Sequence, residues 1–96
     1  MAINSFLDTT TEEFYKLGQT KKKVGWHGVQ KIALRKLDMI AYAEKLDDLR
    51  VPPNNRLEKL KGDLDGFFSI RINDQWRIIF EWTEQGPQKV CVKDYH

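Results

Sequence analysis

The sequence has a single cysteine, Cys91, which lies in an alternating run typical of a β-strand. One cysteine excludes a disulfide framework and a thiolate metal site, and it favours a reducing compartment. Long apolar runs are also missing, because the longest purely apolar stretches are only a few residues long. The sequence therefore predicts neither a signal peptide nor a membrane span, and we expect a cytoplasmic protein.

Familiar catalytic signatures are absent as well. There is no glycine-rich phosphate loop, zinc-ligand spacing or nucleophile elbow, and the two histidines, His27 and His96, lie far apart in sequence. These absences leave open a metal-independent site built on the face of a sheet, and we expect no cofactor. The chain does have a hydrophobic share of 41% in 96 residues, enough for one small core, so residues 1–96 are predicted to form one domain.

Acidic residues are missing from one stretch of the chain. Between Phe14 and Leu37 there are seven basic residues and no Asp or Glu, although the whole chain has a net charge of only +2. The basic residues are Lys16, Lys21, Lys22, Lys23, Lys31, Arg35 and Lys36. Such a run is most often a solvated helix face and loop, but it is also typical of a surface that meets RNA or an acidic partner.

Helix signals occupy the first half of the chain. After a short candidate strand at Ile3–Leu7, Thr10 and Glu13 are spaced as a capping box for a first helix, which is predicted to end at Gly18. A second helix is predicted after Gly28 from apolar residues at helical spacing, namely Val29, Ile32, Ala33, Leu37 and Ile40. The charged residues of this segment are predicted to face mostly away from the apolar stripe: Lys31, Arg35, Lys36 and Asp38.

From Arg56 onward the apolar residues recur with a period of two, which predicts β-strands. The predicted strands are Leu57–Lys61, Phe67–Ile72, Trp76–Trp82 and Lys89–Tyr95. One face of the antiparallel sheet is predicted to pack against the second helix through Ile70, Ile72, Trp76, Ile78, Phe80, Trp82, Val90 and Val92. The opposite face carries Arg71, Arg77, Ile79, Glu81, Cys91, Lys93 and Tyr95. The fold class is therefore α+β.

A hairpin centred on Asp74 would set Arg71 directly opposite Arg77. Like charges directly across two strands are destabilising, so this pair indicates a site for a phosphate or for the carboxylates of a partner. Two structural explanations remain open at this point. Asp74 and Glu81 would neutralise the arginines, or a bulge at Asn73 would shift the register and separate them.

The polar face of the predicted sheet ends in Asp94, Tyr95 and His96. Together with the arginines and lysines of this face, these residues supply what RNA cleavage by the 2′-hydroxyl requires. The reaction needs a base for the hydroxyl proton, cations for the charge that builds on the phosphorane, and an acid for the departing 5′-oxygen.

Three segments resemble the HigB branch of the RelE group of bacterial toxins, within the RelE/ParE superfamily: Leu57–Gly62, Gly66–Phe80 and Asp94–His96. The resemblance implies a RelE-like fold, with a short N-terminal strand and two helices packed on a C-terminal antiparallel sheet of three to four strands. It also implies a metal-independent endoribonuclease that cuts mRNA in the ribosomal A site. Such a toxin is neutralised by a cognate DNA-binding, HigA-like antitoxin and meets operator DNA only through that complex.

Residue by residue, the resemblance assigns the catalytic roles to Lys61, Arg77, Asp94, Tyr95 and His96. Lys61 and Arg77 would hold the phosphate, Asp94 and His96 would transfer protons, and Tyr95 would stack on a base. The expected RNA-binding residues are Arg56, Glu58, Arg71, Gln75 and Lys93. The expected contacts to the ribosome or the antitoxin are Lys21, Lys22, Lys23, Lys31 and Arg35.

One position departs from the family. Some members have a histidine three residues before the lysine, where this chain has Glu58. Glu58 is either an alternative base or a surface residue paired with Arg56 or Lys59. Two other functions also fit the resemblance: a non-enzymatic toxin of the same fold that inhibits DNA gyrase, and an inactive corepressor that binds the antitoxin. Intact candidate catalytic residues favour the nuclease.

Overall fold

The computed structural model describes residues 2–21 and 23–94, in which two α-helices lie against one antiparallel sheet. Helix α1 spans Thr9–Leu17 and α2 spans Gln30–Tyr42. Four strands follow in the spatial order β1-β2-β3-β4: Glu58–Lys59, Phe67–Arg71, Trp76–Thr83 and Gly86–Asp94. The predicted α+β fold is confirmed. In the part of the chain described here, no helix is long and apolar enough to cross a membrane.

The N-terminal segment predicted as a strand forms one parallel bridge, between Phe6 and Val90, and is not a regular strand. Its backbone still bonds to β4, with the Leu7 amide donating to the Val90 carbonyl at 2.9 Å. Asp8 then turns the chain into α1, so only a few residues run beside β4.

Helix α1 begins two residues earlier than the predicted capping box implies. Asp8 is the N-cap, and its carboxylate accepts a hydrogen bond from the Thr11 amide at 3.1 Å. Thr10 therefore lies in the first turn, because Asp8 already satisfies an amide of that turn. The predicted end is confirmed, since Gly18 has a φ of 77° in the left-handed region that favours glycine.

The apolar stripe of α2 packs against the sheet as predicted. Ala33, Leu37 and Ile40 are fully buried in one cluster with Ile70 and Ile78. Trp76 and Trp82 are only half-buried at the margin of this cluster.

The prediction that Lys36 faces away from the stripe is wrong. Only 5% of this residue is exposed, and its ammonium group donates a hydrogen bond to the side chain of Asn55. Asn55 is itself buried in the turn Pro53–Asn55, and its amide donates to the Leu49 carbonyl at 3.1 Å. The long lysine stem therefore crosses apolar surface to reach a polar group that helical periodicity does not register.

The predicted register of the central hairpin is confirmed, with Ile70 opposite Ile78 and Arg71 opposite Arg77. Strands β2 and β3 end one residue from their predicted ends, at Arg71 and Thr83, and β1 and β4 differ more. Strand β1 contains only two residues, and β4 begins at Gly86, because Thr83 and Gly86 pair across a tight turn. The register shift lies between β3 and β4, near Lys89 with its φ of 53°, and not at Asn73.

Candidate active-site cleft

A cleft of about 320 Å³ opens on the face of the sheet turned away from α2. It is lined by Leu60, Lys61, Leu64, Arg77, Ile79, Lys93 and Asp94. Strand alternation explains the composition, since Arg77 and Ile79 point away from Ile78, which lies in the core. Four predicted site residues thus lie around one cleft with an apolar floor: Lys61, Arg77, Lys93 and Asp94.

Lys61 follows β1 at the edge of the cleft, in an extended conformation and exposed to solvent. The next residue, Gly62, has a φ of 68° and turns the chain immediately after the lysine. A side chain is strained at such an angle, so the Lys-Gly pair places an exposed cation where the connection to β2 folds over the cleft. The predicted strand Leu57–Lys61 therefore ends before Lys61, its predicted catalytic residue.

Arg77 is buried, with only 5% of its surface exposed, and neutral oxygens hold two of its N–H groups. Its Nε donates to the Ser69 hydroxyl at 2.8 Å, and its Nη2 donates to the backbone carbonyl of Arg56 at 2.7 Å. Neither acceptor carries a charge. These two bonds therefore orient the guanidinium.

Arg71 lies opposite Arg77 in the register, but its side chain takes another direction. Its guanidinium pairs with Asp74 at the tip of the hairpin. The proposed neutralisation by Asp74 is thus confirmed for Arg71. Glu81 instead accepts a hydrogen bond from the Gln88 side chain at 2.7 Å. This hydrogen bond, and after it the positive charge of Lys89, lowers the pKa of the Glu81 carboxyl.

Lys93 and Asp94 close the cleft at the end of β4. Lys93 lies opposite Arg77 in the register, and Asp94 lies opposite Trp76. The Asp94 carboxylate accepts a hydrogen bond from the Gln75 side chain at 3.0 Å. Gln75, predicted to bind RNA, therefore contacts a candidate catalytic residue directly. Tyr95 and His96 lie outside the described residues, so their assignments stay predictions.

The remaining predicted RNA-binding residues lie beside the cleft. Arg56 contributes its backbone carbonyl, while its side chain is exposed. Glu58 is exposed on β1, directly opposite Ser69. Ser69 is a site residue that sequence patterns missed, because a small polar residue on a strand has no distinguishing period. The sequence signal that could have found Ser69 was its position. It lies two residues before Arg71, the residue opposite Arg77, and on the same face of the sheet.

The predicted contact residues of the basic stretch are exposed where the structure describes them: Lys21, Lys23, Lys31 and Arg35. Lys22 lies outside the described residues. The loop before α2 is held by Thr20, whose amide donates to the Gln30 side chain at 3.1 Å. The Thr20 hydroxyl also lies 2.5 Å from Nδ1 of His27. The loop lysines Lys21 and Lys23 are therefore exposed to solvent, while Thr20 at the start of the loop is bonded to α2.

Cys91 takes no part in the candidate chemistry. The thiol is buried, and burial followed by the nearby Asp8 carboxylate raises its pKa to about 11. It is therefore protonated at neutral pH and is a weak nucleophile.

Sequence comparisons identify toxin relatives. A family model described as the RelE-like toxin of the type II toxin-antitoxin system HigB matches residues 4–96. The chain is 38% identical to Toxin HigB-1 of Vibrio cholerae over 79 residues, which cover 82% of each chain. It is also 37% identical over 41 residues to Endoribonuclease HigB of Proteus vulgaris, covering 43% of this chain and 45% of that relative.

Solved structures share the fold. The YoeB/ParE toxin from Agrobacterium tumefaciens superposes with a TM-score of 0.55 at 17% identity, over the full length of both chains. A chain of the YoeB-YefM complex from Staphylococcus aureus superposes with a TM-score of 0.54 at 21% identity, covering 100% of this chain and 99% of that one. At these identities the similarity concerns the arrangement of helices and strands.

Proposed function

Because the chain belongs to the HigB family of RelE-like toxins of type II toxin-antitoxin systems, we propose that it is a ribosome-dependent endoribonuclease that cuts mRNA in the ribosomal A site. The observation that carries this proposal is the cleft in which Lys61, Arg77, Lys93 and Asp94 surround an apolar floor. Clustered cations suit an RNA phosphate that gains negative charge during the reaction. Cleavage of the message would stop translation.

The proposed reaction begins with attack of the 2′-hydroxyl oxygen on the neighbouring phosphorus. The new P–O2′ bond forms as the P–O5′ bond breaks, which leaves a 2′,3′-cyclic phosphate and a 5′-hydroxyl end. One protein group removes the 2′-hydroxyl proton and another protonates the departing 5′-oxygen. Arg77 and Lys61 stabilise the charge on the pentacoordinate phosphorus, and the planar fork of Arg77 matches two phosphate oxygens.

The proton-transfer groups in this proposal are Asp94 and His96. A histidine with an ordinary pKa near 6.5 serves as acid or base near neutrality, and Glu58 is the alternative base. Tyr95 stacks on an unpaired base of the message. The RNA strand is held by Arg56, Glu58, Arg71, Gln75 and Lys93.

We further propose that a DNA-binding, HigA-like antitoxin neutralises the protein, and that operator DNA is met only through that complex. The family description, which names a toxin-antitoxin system, supports this partner. The exposed cations Lys21, Lys23, Lys31 and Arg35, together with Lys22, contact the ribosome or acidic groups of the antitoxin.

The test adds the purified protein to translating ribosomes with a defined mRNA and maps new 5′ ends, beside the same mRNA without ribosomes. Cuts at A-site codons that need ribosomes are the expected result. Lys61→Ala is compared with Lys59→Ala, a matched control two residues earlier on β1 and outside the described cleft lining. Lys61→Ala should reduce cleavage, whereas Lys59→Ala should leave it unchanged.

Two results would contradict the proposal. Cuts in free mRNA at the same rate would remove the dependence on ribosomes. An absence of cuts in both samples would favour a binding toxin, and inhibition of DNA gyrase would then be assayed.

A further inference from the structure

Ser69 is a fully buried hydroxyl for which the proposed reaction has no role. It lies on β2, and its Oγ accepts a hydrogen bond from Arg77 Nε at 2.8 Å in a buried environment. A second acceptor, the Arg56 carbonyl, lies 2.7 Å from Nη2. Arg56 has a φ of 47°, in the left-handed region, so this carbonyl is presented by an unusual backbone conformation.

The neighbours of Arg77 across the sheet explain why such acceptors matter. The residues directly opposite it are Arg71 on β2 and Lys93 on β4, and both are cations. Neither attracts a guanidinium. Ser69 pairs with Ile79, so Arg77 reaches it diagonally, two residues along β2 and away from Arg71. Diagonal neighbours in a sheet lie within reach of a long side chain.

We infer that Ser69 is a positioning residue, which turns the Arg77 guanidinium away from Arg71 and holds it in the cleft for the substrate phosphate. This inference rests on the proposed function, because it concerns the orientation of a proposed catalytic group. The Ser69 hydroxyl is suited to the task because it accepts a hydrogen bond without a negative charge.

The first test compares Ser69→Ala with Ser69→Thr in ribosome-dependent cleavage. Loss of the hydroxyl should lower the maximal cleavage rate by about tenfold to a hundredfold, because small misplacements of a catalytic group have effects of this size. The ribosome concentration that gives half the maximal rate should stay within about twofold, because the phosphate charge develops fully only in the transition state. Ser69→Thr, which restores the hydroxyl, should recover most of the rate.

Thr11→Val is the matched control for loss of a buried hydroxyl. Thr11 is also fully buried, and its Oγ1 accepts a hydrogen bond from the Val92 amide at 3.1 Å. The substitution should alter stability without changing the maximal rate per folded molecule. In the Arg77→Ala background, Ser69→Ala should have no further effect on the rate. An independent loss there would contradict a role through Arg77.

A second measurement does not depend on cleavage. Hydrogen exchange of the Arg77 Nε–H is followed by NMR in the ¹⁵N-labelled chain, with the resonance assigned from its absence in Arg77→Lys. Exchange should be at least about tenfold faster in Ser69→Ala than in the wild type or Ser69→Thr. Equal protection in all three proteins overturns the inference. If exchange is faster in Ser69→Ala but neither the wild type nor any variant cleaves mRNA, the orientation of Arg77 by Ser69 is supported and the nuclease proposal is overturned.

Discussion

Ile78 and Arg77 are neighbours on β3, and both are buried, but they point to opposite faces of the sheet. Ile78 packs with Leu37 of α2 and with other apolar side chains of the core. Arg77 is held by hydrogen bonds to a serine hydroxyl and a backbone carbonyl. Burial of apolar area has no direction, whereas hydrogen bonds specify an orientation. The α2 face therefore stabilises the fold, and the cleft face sets the geometry of a charge.

Truncation of Phe80, which is completely buried on the α2 face, should have the largest effect on stability. Phe80→Ala is expected to lower the free energy of unfolding by about 3–5 kcal/mol, because it leaves a cavity in the core. Urea unfolding measures this loss, and Phe80→Leu, which preserves more volume, should cost less. Cleavage per folded molecule should be unchanged. A loss of cleavage with little loss of stability would remove the distinction between the two faces.

Arg77→Ala should have the opposite profile. Cleavage is expected to fall by about a hundredfold or more, because a group that stabilises the transition-state charge is lost. The free energy of unfolding should fall by only about 1–3 kcal/mol, since buried acceptors lose their donor. Circular dichroism checks the fold. Arg77→Lys, which keeps the charge without the planar fork, should stay well below the wild-type rate, and wild-type cleavage by Arg77→Ala would refute the assignment.

Lys36 on α2 is close enough to Arg71 on β2 for the two positive charges to interact. Burial, followed by the charges of Arg35 and Arg71, lowers its pKa below the ordinary value of 10.5. Between the lowered pKa and 10.5 the unfolded chain binds more protons than the folded one, so stability should rise with pH in that window. Below the window both states are protonated and the contribution is constant.

The difference in unfolding free energy between the wild type and Lys36→Met should therefore move in favour of the wild type as the pH rises toward 10.5. Denaturant titrations at a series of pH values measure it. Lys31→Met, on the exposed side of α2, is the matched control for removal of one lysine. A difference for Lys36→Met that does not change with pH would contradict the shifted pKa.

The smallest effect is expected at the hairpin tip. In the wild type an RNA phosphate competes with Asp74 for Arg71, and Asp74→Asn removes this competitor. Binding to a short single-stranded RNA should tighten, and the slope of log affinity against log salt should steepen by up to about 0.7, as the phosphate contact of Arg71 becomes fully populated. Fluorescence anisotropy at several salt concentrations measures both. An unchanged slope would mean that Arg71 does not bind RNA phosphate.

Part of the candidate site could be predicted from the sequence. Strand alternation placed Arg71 and Arg77 on one face, opposite each other, and the resemblance selected Lys61 and Asp94, which line the cleft. Ser69 could not be predicted, because its role depends on where the Arg77 side chain turns. The Arg56 carbonyl was missed for a related reason, since every residue has a carbonyl and only the fold decides which one faces a buried donor.

The sequence by itself determined which side chains share a face, because each step along a strand reverses the side-chain direction and the turn fixes the pairing. Only the tertiary structure decided where the long cationic side chains end. Arg71 turns to Asp74, Arg77 turns to Ser69, and Lys36 reaches Asn55 inside the protein. A flexible side chain with several rotatable bonds finds its partner among residues that the fold brings near, and local periodicity contains no information about that choice.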